Sequence, residues 1–389
     1  MNSKAEVAKK NIVALAVFAL FRGAGVSTFT TLFPLYMLEL GYGMSGIGAI
    51  ASLSTIPGII LLPIIGVLID SVGRKPIAVL AGFTVVSSLF IPAFTGSYVM
   101  LLLAYTLYFF SFLAGQPSRS AMLADSVDEE LGMAFAKTFM PFHAAKAIVP
   151  FVAGYLAELY GYSPVFLVFS LLTTVGTLFF TFYSVEPQRE KRKIDFKQEF
   201  KNAFTFEKRL LALYVFATID RFAWQLWFPL LNAHLKELGM LTSEVGILNS
   251  ITSGVLSTSA YFSGSLIDRI GSLKGFVLSE TLGIIAALLL SLTSNKIVAI
   301  LPMILIGFSF SLWIPAYNVA VATGSNQQQR GKAYSKMNTV RTAFSIPAPQ
   351  IGGFLYDTTM SSAPFFLSIV LMMTNISILC YRRRKSEFG

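Results

Sequence analysis

The sequence predicts an all-α membrane protein with twelve transmembrane helices in two six-helix repeats. Three observations predict it. Hydrophobic residues make up 54% of the 389 positions and charged residues 13%, with 35 Phe. A soluble domain carries about 25% charged residues, so this chain has too little polar surface to cover itself and its outer solvent must be lipid. Twelve apolar runs are each long enough to cross a bilayer, which takes about 20 residues. Finally, the stretch Gly66-Val-Leu-Ile-Asp70-Ser-Val-Gly73-Arg74-Lys75 returns as Gly264-Ser-Leu-Ile-Asp268-Arg269-Ile-Gly271-Ser-Leu-Lys274, with the two aspartates 198 positions apart.

In chain order, the first six runs lie at 11–37, 45–69, 76–94, 97–119, 136–157 and 163–184. The second six lie at 210–235, 244–267, 275–293, 296–321, 334–356 and 361–381. Backbone polar groups in lipid must be satisfied within their own segment, so each run should be a helix. Barrel strands would be only about 9–11 residues long. The first run is too long for the core of a signal peptide and reads as a true helix. Residues 1–185 then form an N-terminal half, 186–209 a cytoplasmic linker and 210–389 a C-terminal half. The linker carries eight Lys and Arg, with Ile194, Phe196, Phe200, Phe204 and Phe206 spaced near 3–4. That pattern fits a short amphipathic helix on the membrane surface and equally a solvated linker.

Charge sets the orientation. With both termini on one side, that side holds 24 of the 30 Lys and Arg, Arg119 among them, and the other side holds only Lys236 and Lys296. The positive-inside rule puts both termini and the linker in the cytoplasm, in the cell membrane. The net charge of +10 is thereby accounted for without nucleic acid. Four cations, Arg22, Lys146, Arg221 and Arg341, fall inside the helices.

The repeat extends beyond the opening stretch. Glu39-Leu40-Gly41 matches Glu237-Leu238-Gly239, Pro117 matches Pro315, Lys137 matches Lys336, and Val149-Pro150 with Ala153-Gly154 matches Ala348-Pro349 with Gly352-Gly353. Six spans per copy give both copies the same orientation, a parallel repeat that tends to place substrate near mid-membrane.

These residues resemble the major facilitator superfamily over essentially the whole chain. The family's signature after the second helix is carried by Gly66, Asp70, Gly73, Arg74 and Lys75, with Ser71 where a cation is usual. In the second copy Gly264, Asp268, Arg269 and Gly271 match, and only Lys274 represents the basic end. The glycine–proline pattern of the family's antiporters is matched in part, by Pro150 and Gly154 in helix five, with Val149 and Ala153 in place of glycines, and by Pro349, Gly352 and Gly353 in helix eleven, with Ala348 for the first glycine. Small residues that let helices pack closely explain the same positions. The resemblance implies a secondary transporter working by alternating access between two halves. Its first implied function is proton-coupled efflux of amphiphilic compounds by an antiporter, and its second is proton-coupled transport of an organic anion. A non-transporting membrane sensor is the remote alternative.

The resemblance further implies that Asp70, Arg74 and Asp125 form a cytoplasmic charge network that latches the halves. It implies a central cavity lined by helices one, four, seven and ten. Ionisable residues inside a membrane are functional candidates by default. Arg22 and its repeat counterpart Arg221 suit an anionic substrate group, because guanidinium grips carboxylate or phosphate bidentately; pairing with Asp220, carbonyls or lipid phosphate is the structural reading. His143, Lys146 and Arg341 flank the same region. Asp220 is the natural proton carrier. Tyr105, Tyr108, Phe112 and Gln116 share one face of helix four, Phe310, Trp313, Tyr317 and Asn318 lie on helix ten, and Trp224, Gln225 and Phe228 on helix seven. Such aromatics suit a ring-bearing solute and equally suit plain packing. Glu280, early in helix nine, reads as an anchor near the interface. Prolines at 34, 57, 117, 141, 150, 229, 315, 347 and 349 supply kinks.

Cys380 is the single cysteine and His143 and His234 are the only histidines, which leaves no disulfide framework or metal cluster. No P-loop or GxSxG elbow occurs, so neither ATP drive nor an enzyme is expected. No cofactor is expected. The expected partners are a small organic solute, protons and membrane lipids. One chain is expected to contain a complete cavity and to act as a monomer.

Overall fold

The computed structural model describes residues 4–127, 130–187, 210–293, 296–325 and 330–384. Among them the regular structure is helical throughout. In chain order the helices are α1 (Lys4–Glu39), α2 (Met44–Leu53), α3 (Thr55–Val72), α4 (Arg74–Phe94), α5 (Tyr98–Ser126), α6 (Leu131–Tyr160) and α7 (Tyr162–Tyr183). Then follow α8 (Leu211–Gln225), a 3-10 turn at Phe228–Leu230, α9 (Leu231–Glu237), α10 (Thr242–Ile270), α11 (Ser272–Leu292), α12 (Ile300–Gly324), α13 (Arg330–Ser345), α14 (Pro347–Thr358) and α15 (Ala363–Arg384). The amphipathic helix expected within 186–209 lies outside the described residues, apart from Glu186 and Pro187.

Each of the twelve apolar runs folds as helix, but three are broken, each four residues before a proline. Proline has no N–H to bond the carbonyl four residues back. Pro57, Pro229 and Pro349 therefore leave Leu53, Gln225 and Ser345 without that partner. Those are the last residues of α2, α8 and α13. Pro34, Pro117, Pro141, Pro150 and Pro315 remain inside continuous helices. Among the described residues, nine helices are long and apolar enough to cross a membrane. The other three runs are the two broken at Pro229 and Pro349 and the Ser/Thr-rich α10.

The contacts divide the chain into two compact units. One comprises Met1–Phe33 with Ser54–Phe200, the other Pro34–Leu53 with Lys201–Gly389. The first is cored by Leu15, Phe18, Met122, Leu123 and Phe180, and by Ile65, Ile69, Ile77 and Ala114. The second is cored by Phe216, Phe276, Tyr317, Val321, Met337 and Leu379. The same packing recurs in each. In the first unit α4 lies against α5 and α7, and in the second α11 lies against α12 and α15. This is the sequence repeat expressed in structure.

In the second unit α2 packs against α14. The approach is close enough that a methyl on Gly48 would strike the Pro349 carbonyl, and one on Gly353 the Met44 carbonyl. A methyl on Gly352 would strike the carbonyl of Leu226, at the end of α8. The Asp357 carboxylate accepts the Met44 N–H at 3.3 Å and the Ser45 N–H at 2.7 Å. It thereby satisfies free donors at the positive end of α2.

Candidate functional site

Three clusters hold the chemistry, two in the first unit and one in the second. The first sits where α3 turns into α4. Gly73 takes φ 135°, a conformation that only glycine adopts without strain. The turn lets Arg74 face back along α3. Its Nη1 donates to Asp70 Oδ1 at 2.5 Å and its Nε to Asp125 Oδ2, at the end of α5, at 2.8 Å. The three residues named for the charge network thus meet at one guanidinium. Glu186 joins them. Its carboxylate accepts the Arg74 N–H at 2.8 Å and the Lys75 N–H at 2.6 Å, capping α4. Lys75 Nζ donates to the Ser184 carbonyl at 2.6 Å. Buried Asn11 donates to Ser126 Oγ and to the Val185 carbonyl, each at 2.8 Å.

The second copy does not reproduce this cluster. Gly271 makes the same positive-φ turn, at 82°, but Ser272 stands where Arg74 would be. Asp268 and Arg269 are exposed, and among the described residues no ion pair links them. Arg269 instead borders a cavity of about 620 Å³ together with Phe262, Leu266, Leu278 and Phe308.

The second cluster is the interior of the first unit. Arg22 is 3% exposed and donates through Nη2 to the Ser111 carbonyl at 2.9 Å. Arg119, counted from sequence among the cytoplasmic cations, is also buried, at 5%. It lies four residues beyond Gly115 on a helix that continues to Ser126, so it remains inside the bundle. Its Nε donates to the Gly115 carbonyl at 2.9 Å. The rings of Phe18, Phe139 and Phe142 surround its guanidinium at 5.9, 5.4 and 5.9 Å. Nearby, Phe29 stacks on Tyr108 at 4.7 Å and meets the edge of Tyr105 at 5.7 Å. Phe112, Gln116 and His143 are exposed, and Lys146 is half-buried. Pro150 and Gly154 of α6 are buried.

The third cluster is the interior of the second unit. Asp220 is 2% exposed, and its Oδ2 lies 3.8 Å from Arg341 Nη2. Arg341 covers Trp313 at 4.3 Å and Tyr317 at 5.3 Å, and those rings stack on each other at 4.7 Å. Arg221 donates to Ser345 Oγ at 3.3 Å. Glu280 is not the interfacial anchor expected from its place in the sequence. It is 1% exposed, accepts from Asn375 Nδ2 at 2.8 Å and lies side by side with Asp220. The polar and apolar residues of α11 mark no single face, so the sequence does not show which side turns inward. Among the described residues Asp220 Oδ1 and Glu280 Oε2 have no donor. Two acids in such surroundings can change charge by taking up a proton, beside an arginine that keeps its own.

A further aromatic set joins Trp224 to Phe310 at 4.7 Å, to Trp227 at 5.1 Å and to Phe228 at 6.1 Å. Trp227, fully buried and bonded through Nε1 to Ser368 Oγ at 3.1 Å, was not singled out in the sequence. Asn318 is exposed, and its carbonyl accepts the Tyr334 hydroxyl at 2.6 Å. Buried His234 meets the Tyr356 hydroxyl at 2.8 Å, which donates to Glu237 at 2.7 Å.

Two repeat-related helical units with charged interiors define a multi-pass membrane transporter rather than an enzyme. The chain belongs to the major facilitator superfamily, whose family model matches residues 15–349. It is 26% identical over 341 residues to the "Multi-drug resistance efflux pump PmrA" of Streptococcus pneumoniae, covering 82% of each chain. It is 24% identical over 383 residues to the "Multidrug resistance protein MdtG" of Proteus mirabilis, covering 95% of this chain and 94% of that one. Its fold matches that of the nucleoside transporter NupG with a TM-score of 0.78, 14% identity and coverage of 95% and 98%. At that identity the likeness to NupG is one of fold alone.

Proposed function

We propose that the chain exports amphiphilic organic compounds from the cytoplasm in exchange for protons, by alternating access, in the cell membrane with both termini cytoplasmic. The observation that carries the reading is the buried Asp220, loosely paired with Arg341 at 3.8 Å and lying against Glu280. A carboxyl group held in this way changes protonation as water gains or loses access to it. That change switches its attraction for Arg341 on and off. The names of the relatives, efflux and multidrug resistance proteins, support export and broad substrate choice. The aromatic set around Trp224 and Phe310 offers apolar, polarisable surface to ring-bearing solutes. In this reading the Asp70–Arg74–Asp125 cluster is the conformational latch. Its exposed ion pairs are each worth only about 0–1 kcal/mol, weak enough to break in every cycle. The chain acts as a monomer.

The test is uptake of ethidium into inside-out proteoliposomes. An imposed proton gradient, acid inside, drives saturable accumulation, a protonophore abolishes it, and Asp220→Asn lacks it. Accumulation indifferent to the gradient sinks the coupling. A second reading, transport of an organic anion, is favoured by Arg22, which has no carboxylate partner among the described residues.

A further inference from the structure

Arg22 and Arg119 come from different helices yet converge on one ring and on neighbouring turns of α5. Arg22 Nη2 bonds the Ser111 carbonyl and Arg119 Nε bonds the Gly115 carbonyl, one turn further along α5. Both guanidiniums lie over the same ring, Phe142, at 5.8 and 5.9 Å. Gly115 lies against this side chain: a methyl there would come within 3.1 Å of Arg22 Nη2. The two cations are close enough to repel each other. Both are more than nine-tenths buried, and among the described residues neither has a carboxylate within ion-pair distance. Among the described residues the Arg22 Nε donor has no acceptor. Phe18, Tyr108, Phe139 and Phe142 lie beside the pair, and among the described residues no anion does.

Two buried like charges without a counter-charge are among the costliest arrangements a membrane interior can hold. Arginine is not relieved by giving up its proton.

We propose that Arg22 and Arg119 together form a binding site for the oxyanion group, carboxylate or phosphate, of an amphiphilic ligand. The partly buried rings of Phe139 and Phe142 take its apolar body. Two guanidiniums can engage two oxygens of one such group with charge-assisted hydrogen bonds, and the free Arg22 Nε supplies the first of them. The site deepens the anion reading of the transport function and rests on the transporter reading only for its role, not for its existence. The oxyanion comes from a solute or from a lipid headgroup, and the experiment separates the two.

The probes are 4-phenylbutyrate, phenyl phosphate and the uncharged 4-phenylbutan-1-ol, titrated by thermal shift into the whole protein in phosphatidylcholine nanodiscs. A ligand of the folded state raises the apparent Tm by mass action. The expected result is a saturable shift with the two anions and none with the alcohol. Arg119→Gln and Arg22→Gln should each raise the apparent Kd about tenfold or more, and Arg119→Lys should recover part of the loss. Helical circular dichroism and size-exclusion profiles check that the variants fold. If Arg119→Gln fails to fold, Arg119→Lys and Arg22→Gln carry the test, and an anion affinity unchanged in both overturns the site. A shift with the alcohol equal to that with the anions also overturns it. If nanodiscs containing phosphatidylglycerol raise the Tm of the parent protein but not of Arg22→Gln, and 4-phenylbutyrate then adds nothing, the site stands with lipid as its occupant. Anion binding that persists without any flux in proteoliposomes leaves the site standing and removes the transport reading instead.

Discussion

Arg341 Nη2 stands 3.8 Å from Asp220 Oδ2, at the outer edge of ion-pair range. The same guanidinium lies 4.3 Å from the Trp313 ring centroid, so the indole shares the arginine with the acid. An acid held loosely is free to exchange a proton. Asp220→Asn should abolish gradient-driven ethidium accumulation while leaving ethidium binding within about threefold, because the amide keeps the shape and removes only the titration. Binding by fluorescence and flux in proteoliposomes, measured on the same preparation, check this.

Arg341→Lys should weaken function nearly as much as Arg341→Ala. Lysine keeps the charge but loses the planar stack on Trp313 and the fork that reaches Asp220. Rates of gradient-driven uptake for the two variants, compared with the parent protein, are the readout; full recovery by lysine would mean that charge alone matters.

Glu280 separates a role in charge from a role in packing. Glu280→Gln keeps the acceptor for Asn375 and should shift stability by less than about 1 kcal/mol. Glu280→Ala leaves Asn375 Nδ2 with only the Phe216 carbonyl, at 3.2 Å, and opens space, at a cost of about 2–4 kcal/mol. Chemical denaturation in mild detergent distinguishes the two.

The cluster at the α3–α4 turn should respond to salt in parts. Asp125 is partly exposed, so Asp125→Asn should cost under about 1 kcal/mol at 0.15 M salt and nothing measurable at 1 M. Glu186 accepts two backbone N–H groups. Glu186→Ala should cost about 1 kcal/mol in the manner of a lost helix cap, with much weaker salt dependence. Equal salt dependence for both would contradict the division of labour read here.

Glycines divide as sharply. Gly352→Ala places a methyl on the Leu226 carbonyl, a backbone atom that cannot turn aside. Gly66→Ala and Gly264→Ala meet nothing within 4 Å. The first should lower Tm by several degrees or prevent folding, and the other two should change it by less than about 2 °C.

Most of the helical plan was legible because lipid imposes it: apolar runs of fixed length leave little else for the backbone to do. The broken helices were legible only in part. Pro57, Pro229 and Pro349 were noted as kinks, but the sequence does not say that these three end a helix while Pro117 and Pro141 do not. Asp70, Arg74 and Asp125 were brought together through a known family pattern. Glu186 was missed because it lies 112 positions from Arg74 in a stretch whose charge looks like solvent-facing linker. Arg119 and Glu280 were misplaced for one shared reason. Each sits within a few turns of a helix end, where a charge can reach water or turn inward, and a helix with no single polar face gives nothing by which to decide. The close approach of Gly48, Gly352 and Gly353 had only the presence of small residues as its signal.

The pairing of α2 with α14 has a consequence for how the protein is made. Gly48 meets Pro349 across most of the chain, so the earlier helix must wait for its partner. Synthesis at about 5–20 residues per second puts roughly 15–60 seconds between the two. During that interval α2 stands in the membrane with its glycine face uncovered and the Met44 and Ser45 amides without Asp357. A substitution in α14 should therefore be felt first by a helix translated long before it, as a failure of biogenesis in the N-terminal part of the chain.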